Sequence, residues 1–154
     1  MIAGIDLSSL FVDVVFIDEN HAKPIWQRVS LGKEGNAFDR SRGVSDALVA
    51  KGLVEMFKEC AAVGIEEPRG MNPGPTFRVQ GAVLQKIPRE TIVYPLIPSQ
   101  WRKAVGLKGN AQKPDIMAHV LTLFPEFTDV WPQDACDAWC VAEATRLAVS
   151  GVRC

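Results

Sequence analysis

Histidine–cysteine metal patterns are missing from this chain. It has only two histidines, His21 and His119, and four cysteines, Cys60, Cys136, Cys140 and Cys154, with no C-x-x-C pair. No zinc-like ligand spacing can be built from these residues, and the cysteines read as reduced structural thiols. His119, set among Met117, Ala118 and Val120, reads as a packing or surface histidine rather than a ligand. Long apolar runs are also missing. The longest are broken by Asp13, Pro24 or Gly64, and no basic segment leads into an apolar core at the N-terminus. Neither secretion nor membrane spanning is supported, and the expected location is cytoplasmic. Low-complexity tracts and internal repeats are absent, which excludes fibrous and disordered classes.

What is present is a soluble-protein composition with an uneven charge distribution. A chain of 154 residues can bury a sizeable core, and one domain spanning residues 1–154 is expected. The net charge is only −1, yet residues 69–113 hold eight basic side chains and one acid, while the segments on either side are each at −4. A basic surface beside an acidic one suits a protein that grips a polyanion while holding cations.

Residues 2–6 read as a buried strand, 11–18 as a second joined by a short link, and 24–31 as an edge strand starting at Pro24. Helical spacing from 37 to 60 is weakened by Gly43 and Gly52, and 61–65 reads as a strand ended by Pro68. Residues 69–75, with two glycines and two prolines, predict an irregular loop. A helix over 77–87, a strand over 91–96, a short helix capped by Ser99, a helix from Pro114 to Phe124 and a last helix over 133–150 complete the chain. This order predicts an α/β fold, a mixed sheet with its first three strands antiparallel and helices flanking it.

Four carboxylates stand where such a fold would gather them. Asp6 and Glu66 close the first and fourth strands, and Asp134 and Asp137 lie three apart on one face of the last helix, where Ala135, Ala138 and Ala142 permit close approach to the sheet. Singly, each has an ordinary reading: a turn for Asp6, a solvated strand end for Glu66, helix capping for the two aspartates. Together they are unfavourable, since like charges ~4 Å apart repel by ~4 kcal/mol at an effective dielectric of ~20. Such a cluster implies raised pKa values or bound cations, and hard oxygen ligands favour magnesium or manganese. The chemistry suggested is metal-assisted phosphodiester hydrolysis. Asp13 is a fifth candidate, but its place in an alternating strand suggests a solvent-facing side chain, and it is left out of the set.

The segments GIDLSS at 4–9, VGIEEP at 63–68 and DACDAWCVAEA at 134–144 resemble the RuvC family of Holliday-junction resolvases, within the ribonuclease H-like superfamily. The resemblance covers nearly the whole chain. It matches the family's four acids to Asp6, Glu66, Asp134 and Asp137, its central helix to RVQGAVL at 78–84, and its basic loop to SQWRKAVGLKGNAQK at 99–113, where Lys113 takes the position of a family lysine near the metals. It implies a magnesium-dependent homodimer, with manganese able to substitute, that makes paired nicks across four-way DNA junctions. The implied catalytic set is the four acids and Lys113. Arg69, Arg78, Arg102, Lys103, Lys108 and Lys113 are the candidates for DNA contact. Two departures stand out: Arg69 replaces the aromatic residue that follows the fourth-strand glutamate in cellular members, and the loop before Lys113 is one residue longer, so that either Arg102 or Lys103 matches the family's other loop lysine. These suggest a divergent, phage-like branch.

Other readings are a less selective nuclease of flaps and forks, and a junction-binding protein without catalysis, although a pure binder gains nothing from clustered repulsive charge. An actin-like or sugar-kinase-like fold shares the GIDLSS pattern but normally needs a second, duplicated domain, for which this chain is too short.

Overall fold

The computed structural model describes residues 1–18, 23–32, 35–69 and 73–151. His21, Cys154 and parts of two expected loops (33–34 and 70–72) lie outside them. Strands β1 (Ile2–Leu7), β2 (Phe11–Ile17) and β3 (Ile25–Ser30) come first, followed by helices α1 (Ala37–Ala50) and α2 (Leu53–Lys58) and strand β4 (Ala62–Glu66). Helix α3 (Gly74–Leu84), strand β5 (Ile92–Leu96) and helices α4 (Pro98–Ala104), α5 (Lys113–Leu123) and α6 (Gln133–Val149) complete the order, with a 3-10 turn at Pro125–Phe127.

The sheet order is β3-β2-β1-β4-β5. The first three strands pair antiparallel as expected, and β4 and β5 add parallel to β1. Successive side chains on a strand face opposite sides, so Ala3 and Ile5 of β1, Val12, Val14 and Phe16 of β2, and Val63 and Ile65 of β4 enter the core shared with α1, α2 and α3. The other face takes α6, whose residues from Ala135 to Ala142 are all buried. Trp101 of α4 and Ile116 and Val120 of α5 join that helix in a second core cluster.

Gly4 and Gly64 lie on the α6 face, where a side chain would collide. A Cβ on Gly4 would meet the Ala138 carbonyl and the Ala142 amide, and one on Gly64 would meet the Thr145 hydroxyl. The expected small-residue face of α6 therefore has a counterpart on the strands.

Three local expectations are corrected. The helix over 37–60 is two helices, because Gly52 adopts a left-handed backbone (φ 71°) that ends the first and opens the second. Asn36 starts α1, its side chain accepting from the Phe38 and Asp39 amides. Helix α3 begins at Gly74 rather than 77, since Pro75 sits in its first turn where a missing N–H is harmless. Ser99 does not cap α4. Pro98 is its first residue, and the Gln100 side chain accepts from the Ile97 amide at 3.2 Å.

Among the described residues no helix is long and apolar enough to cross a membrane. Cys60, Cys136 and Cys140 are free and buried, in keeping with structural thiols, and burial pushes the Cys60 and Cys136 thiols up to about 11 and about 12. His119 is half-buried with its ring against Trp139, a packing role.

Candidate active site

Period-two alternation puts Asp6, two residues beyond Gly4, and Glu66, two beyond Gly64, on the face that α6 covers. Helix α6 brings Asp134 and Asp137 there. Neither caps the helix, whose N-cap is Pro132 with no side-chain cap. Carboxylate oxygens of Asp6, Asp134 and Asp137 lie within 4.8 Å of one another. Glu66 is outside that tight triple but adjoins it, and its charge is the foremost one acting on Asp6.

Each carboxylate is oriented by a neighbour. The Leu7 amide donates to Asp6 Oδ1 at 2.9 Å, Trp101 Nε1 to Glu66 Oε2 at 2.9 Å, and Gln133 Nε2 to Asp137 Oδ1 at 3.0 Å. Crowding and burial show in the proton affinities. Burial first, then the charges of Glu66, Asp137, Asp134 and Asp13, holds Asp6 well above the ordinary carboxylate range. Burial pushes Glu66 to about 7 against the Trp101 hydrogen bond, and Asp137 to about 6 against the Gln133 bond. Asp6, Asp134 and Asp137 cluster with Glu66 beside them, and burial together with their mutual repulsion gives the electrostatics of an oxygen-lined cation site.

Asp13 overturns its expected place in solvent. It is 1% exposed, sits opposite Asp6 in the β1–β2 register and opposite Arg28 in the β2–β3 register, and accepts from Trp26 Nε1 at 2.8 Å and from Arg28 Nε at 2.9 Å. Arg28 Nη2 continues to Asp134 Oδ2, also at 2.9 Å. Sequence reasoning missed this network. The available signal was FVDVVFI at 11–17, which is apolar on both faces, so an aspartate inside it must be buried and therefore paired.

The predicted basic residues divide. Lys113, at the start of α5 with a side chain 70% exposed, places Nζ 3.8 Å from Asp134 Oδ1. Arg102 lies over the Trp101 ring with a buried Nε that has no hydrogen-bond partner among the described residues, and its charge, like that of Lys113, acts on both Glu66 and Asp137. Of the two candidates for the loop cation, Arg102 thus faces the acids. Lys103 and Lys108 are exposed on α4 and the loop that follows. Arg69 pairs with Glu67 at 3.5 Å, and Arg78 stacks on Phe38 of α1.

No family model matches the sequence, and no curated protein matches it. Among solved structures, a Thermus thermophilus RuvC structure superposes with a TM-score of 0.71 at 21% identity, covering 98% of this chain and 96% of that one. T. thermophilus RuvC in complex with a Holliday junction substrate superposes with a TM-score of 0.75 at 19% identity and the same coverage. The fold is RuvC-like, the mixed five-stranded sheet of the ribonuclease H-like architecture.

Proposed function

We propose that the chain, acting as a single nuclease domain over residues 1–154, is a divalent-metal-dependent endonuclease that resolves four-way DNA junctions by paired nicks. The observation that carries this reading is the convergence of Asp6, Asp134 and Asp137, with Glu66 beside them, on the α6 face of a RuvC-like sheet. The donor set fits magnesium, with manganese as a substitute: every candidate ligand is a carboxylate oxygen, and carboxyls held above their ordinary pKa by burial and then by each other's charge are those a dication would relieve. Bound there, the ions would supply an activated water and neutralise charge on the scissile phosphate.

The protein's own residues do the rest. Asp6, Glu66, Asp134 and Asp137 hold the ions, their hydrogen-bonding neighbours fixing which oxygens face inward. Lys113 and Arg102 set positive charge at the rim, where it stabilises the charge developing on the phosphate. Arg69, Arg78, Lys103 and Lys108 extend the basic surface and contact backbone phosphates. A four-way junction has two-fold symmetry, so paired nicks need two sites related by a matching axis, and a homodimer supplies them. Phe77 and Leu84 of α3 and Phe38 of α1 are exposed apolar residues suited to that interface. A cytoplasmic location belongs to the same reading.

The test is cleavage of a four-way junction, a fork and a linear duplex with magnesium, with EDTA, and by Asp6→Asn. Paired nicks in the junction, lost with EDTA and in the variant while binding persists, are expected. Full activity in EDTA or in Asp6→Asn refutes the metal-nuclease reading, and equal cleavage of all three substrates refutes the junction specificity.

A further inference from the structure

A half-buried cation beside the acid cluster is Arg28, and its bonds are directed rather than diffuse. Nε donates to Asp13 Oδ1 at 2.9 Å and Oδ2 at 3.1 Å, and Nη2 to Asp13 Oδ2 at 2.9 Å. The same Nη2 donates to Asp134 Oδ2 at 2.9 Å. Asp13 is itself fixed by Trp26 Nε1, and the Phe11 ring lies 4.7 Å from the guanidinium carbon. Three strand residues thus hold the guanidinium in one plane before it reaches α6.

Asp134 needs such a hold more than its partners do. It sits in the first turn of α6, its side chain is 36% exposed, and its nearest other cation is Lys113, 3.8 Å away on the other oxygen. Aspartate at a half-exposed helix start is free to change rotamer, and ordering it is entropically unfavourable. The clamp commits Oδ2 to Arg28 and leaves Oδ1, 3.8 Å from Lys113 Nζ, as the unclamped oxygen. It also adds no net charge, because Arg28 and Asp13 cancel. Its contribution is therefore geometric.

We propose that Arg28 is a positioning residue, anchored by Asp13, that presents Asp134 to the metal through one oxygen only. The inference rests on the metal-nuclease reading of the cluster. Partners that orient metal ligands from outside the coordination shell typically change affinity by about 10- to 100-fold when removed.

Two variants separate geometry from charge. Asp13→Asn with Arg28→Gln keeps the local net charge and lets position 13 still accept from Trp26, but a glutamine is too short to span to Asp134. Arg28→Lys keeps the positive charge beside buried Asp13, protecting the fold, while a single ammonium lacks the planar fork that bonds two carboxylates together. Mn²⁺ binding to the DNA-free protein is measured by calorimetry, with cooperative unfolding in EDTA checking that each variant is folded. Both variants should bind Mn²⁺ about 10- to 100-fold more weakly, with cleavage recovering as Mn²⁺ is raised. If either folded variant binds Mn²⁺ within about twofold of wild type, Arg28 does not position Asp134. If the unmodified protein binds no Mn²⁺, the metal reading itself falls. If it binds Mn²⁺ and cleaves no DNA, the nuclease reading falls while the clamp stands on its binding data.

Discussion

Raising the pH should weaken the metal-free fold, and Glu66 is one of three buried carboxyls that make it do so. Burial, opposed by the Trp101 hydrogen bond, pushes its carboxyl from 4.5 to about 7. The folded chain therefore keeps a proton over a range in which the unfolded chain has lost it. Stability from this group is fully present below about pH 4.5 and is lost as the pH rises through about 7. At about 1.4 kcal/mol per pH unit, the difference approaches 3 kcal/mol by about pH 8. Asp137, pushed to about 6, and Asp6, also raised, act in the same direction. Against a total stability of about 5–15 kcal/mol, a change of this size is easily measured.

The assay is urea unfolding in EDTA at a series of pH values, on wild type and on Glu66→Gln. The glutamine still accepts from Trp101 through its carbonyl but cannot ionise. The two proteins should be similar near about pH 5, and the variant should be more stable by about 3 kcal/mol near about pH 8. Magnesium in excess should flatten the wild-type dependence, because the cation replaces the proton as the counter-charge. Parallel curves for the two proteins across the range would refute the burial argument.

Gly4→Ala should lower the urea midpoint by an amount equivalent to about 1–3 kcal/mol, because its Cβ would lie 2.7 Å from the Ala142 Cα in a helix backbone that cannot rotate away. An unchanged midpoint would show that α6 does not need the gap. Lys108→Ala should reduce the slope of log affinity against log salt by about 0.9 while leaving cleavage at saturating DNA intact. Lys113→Ala should slow single-turnover cleavage at saturating DNA by at least about tenfold, and wild-type cleavage there would return it to the phosphate-contacting group. Phe77→Glu should give a monomer by light scattering and turn paired nicks into single ones. A variant that remains dimeric removes α3 from the interface.

All five strands and the last two helices are legible in the sequence because their signals are local: short apolar runs bounded by turn residues, and apolar spacing at the helical period. What was not legible depended on partners distant in sequence or on a single backbone angle. Gly52 weakens a helix on propensity, but only its left-handed φ shows that the chain breaks there. Strand alternation alone puts Asp13 in solvent, whereas its burial depends on Arg28, fifteen residues away on the next strand, and on Trp26. The choice between Arg102 and Lys103 turned on which side of the short helix α4 faces Glu66, and Trp101, buried and bonded to Glu66, settles that orientation.

The acids converge for a reason that joins folding to chemistry. In both β1 and β4 the run is glycine, isoleucine, acid: Gly4-Ile5-Asp6 and Gly64-Ile65-Glu66. The isoleucines enter the core on the far face, while the glycines and acids share the face under α6. Without a Cβ on either glycine, α6 settles directly on the strand backbones, and Asp137 enters the sheet face beside Asp6 two residues further along. The same close contact removes water from the acids and raises their pKa values. The packing that stabilises the fold therefore creates the electrostatic strain at its centre, and a bound dication is the species that would relieve it. On this argument, a variant that eases α6 away from β1, such as Gly4→Ala, should lower the pKa values of the acids and weaken the cation site together.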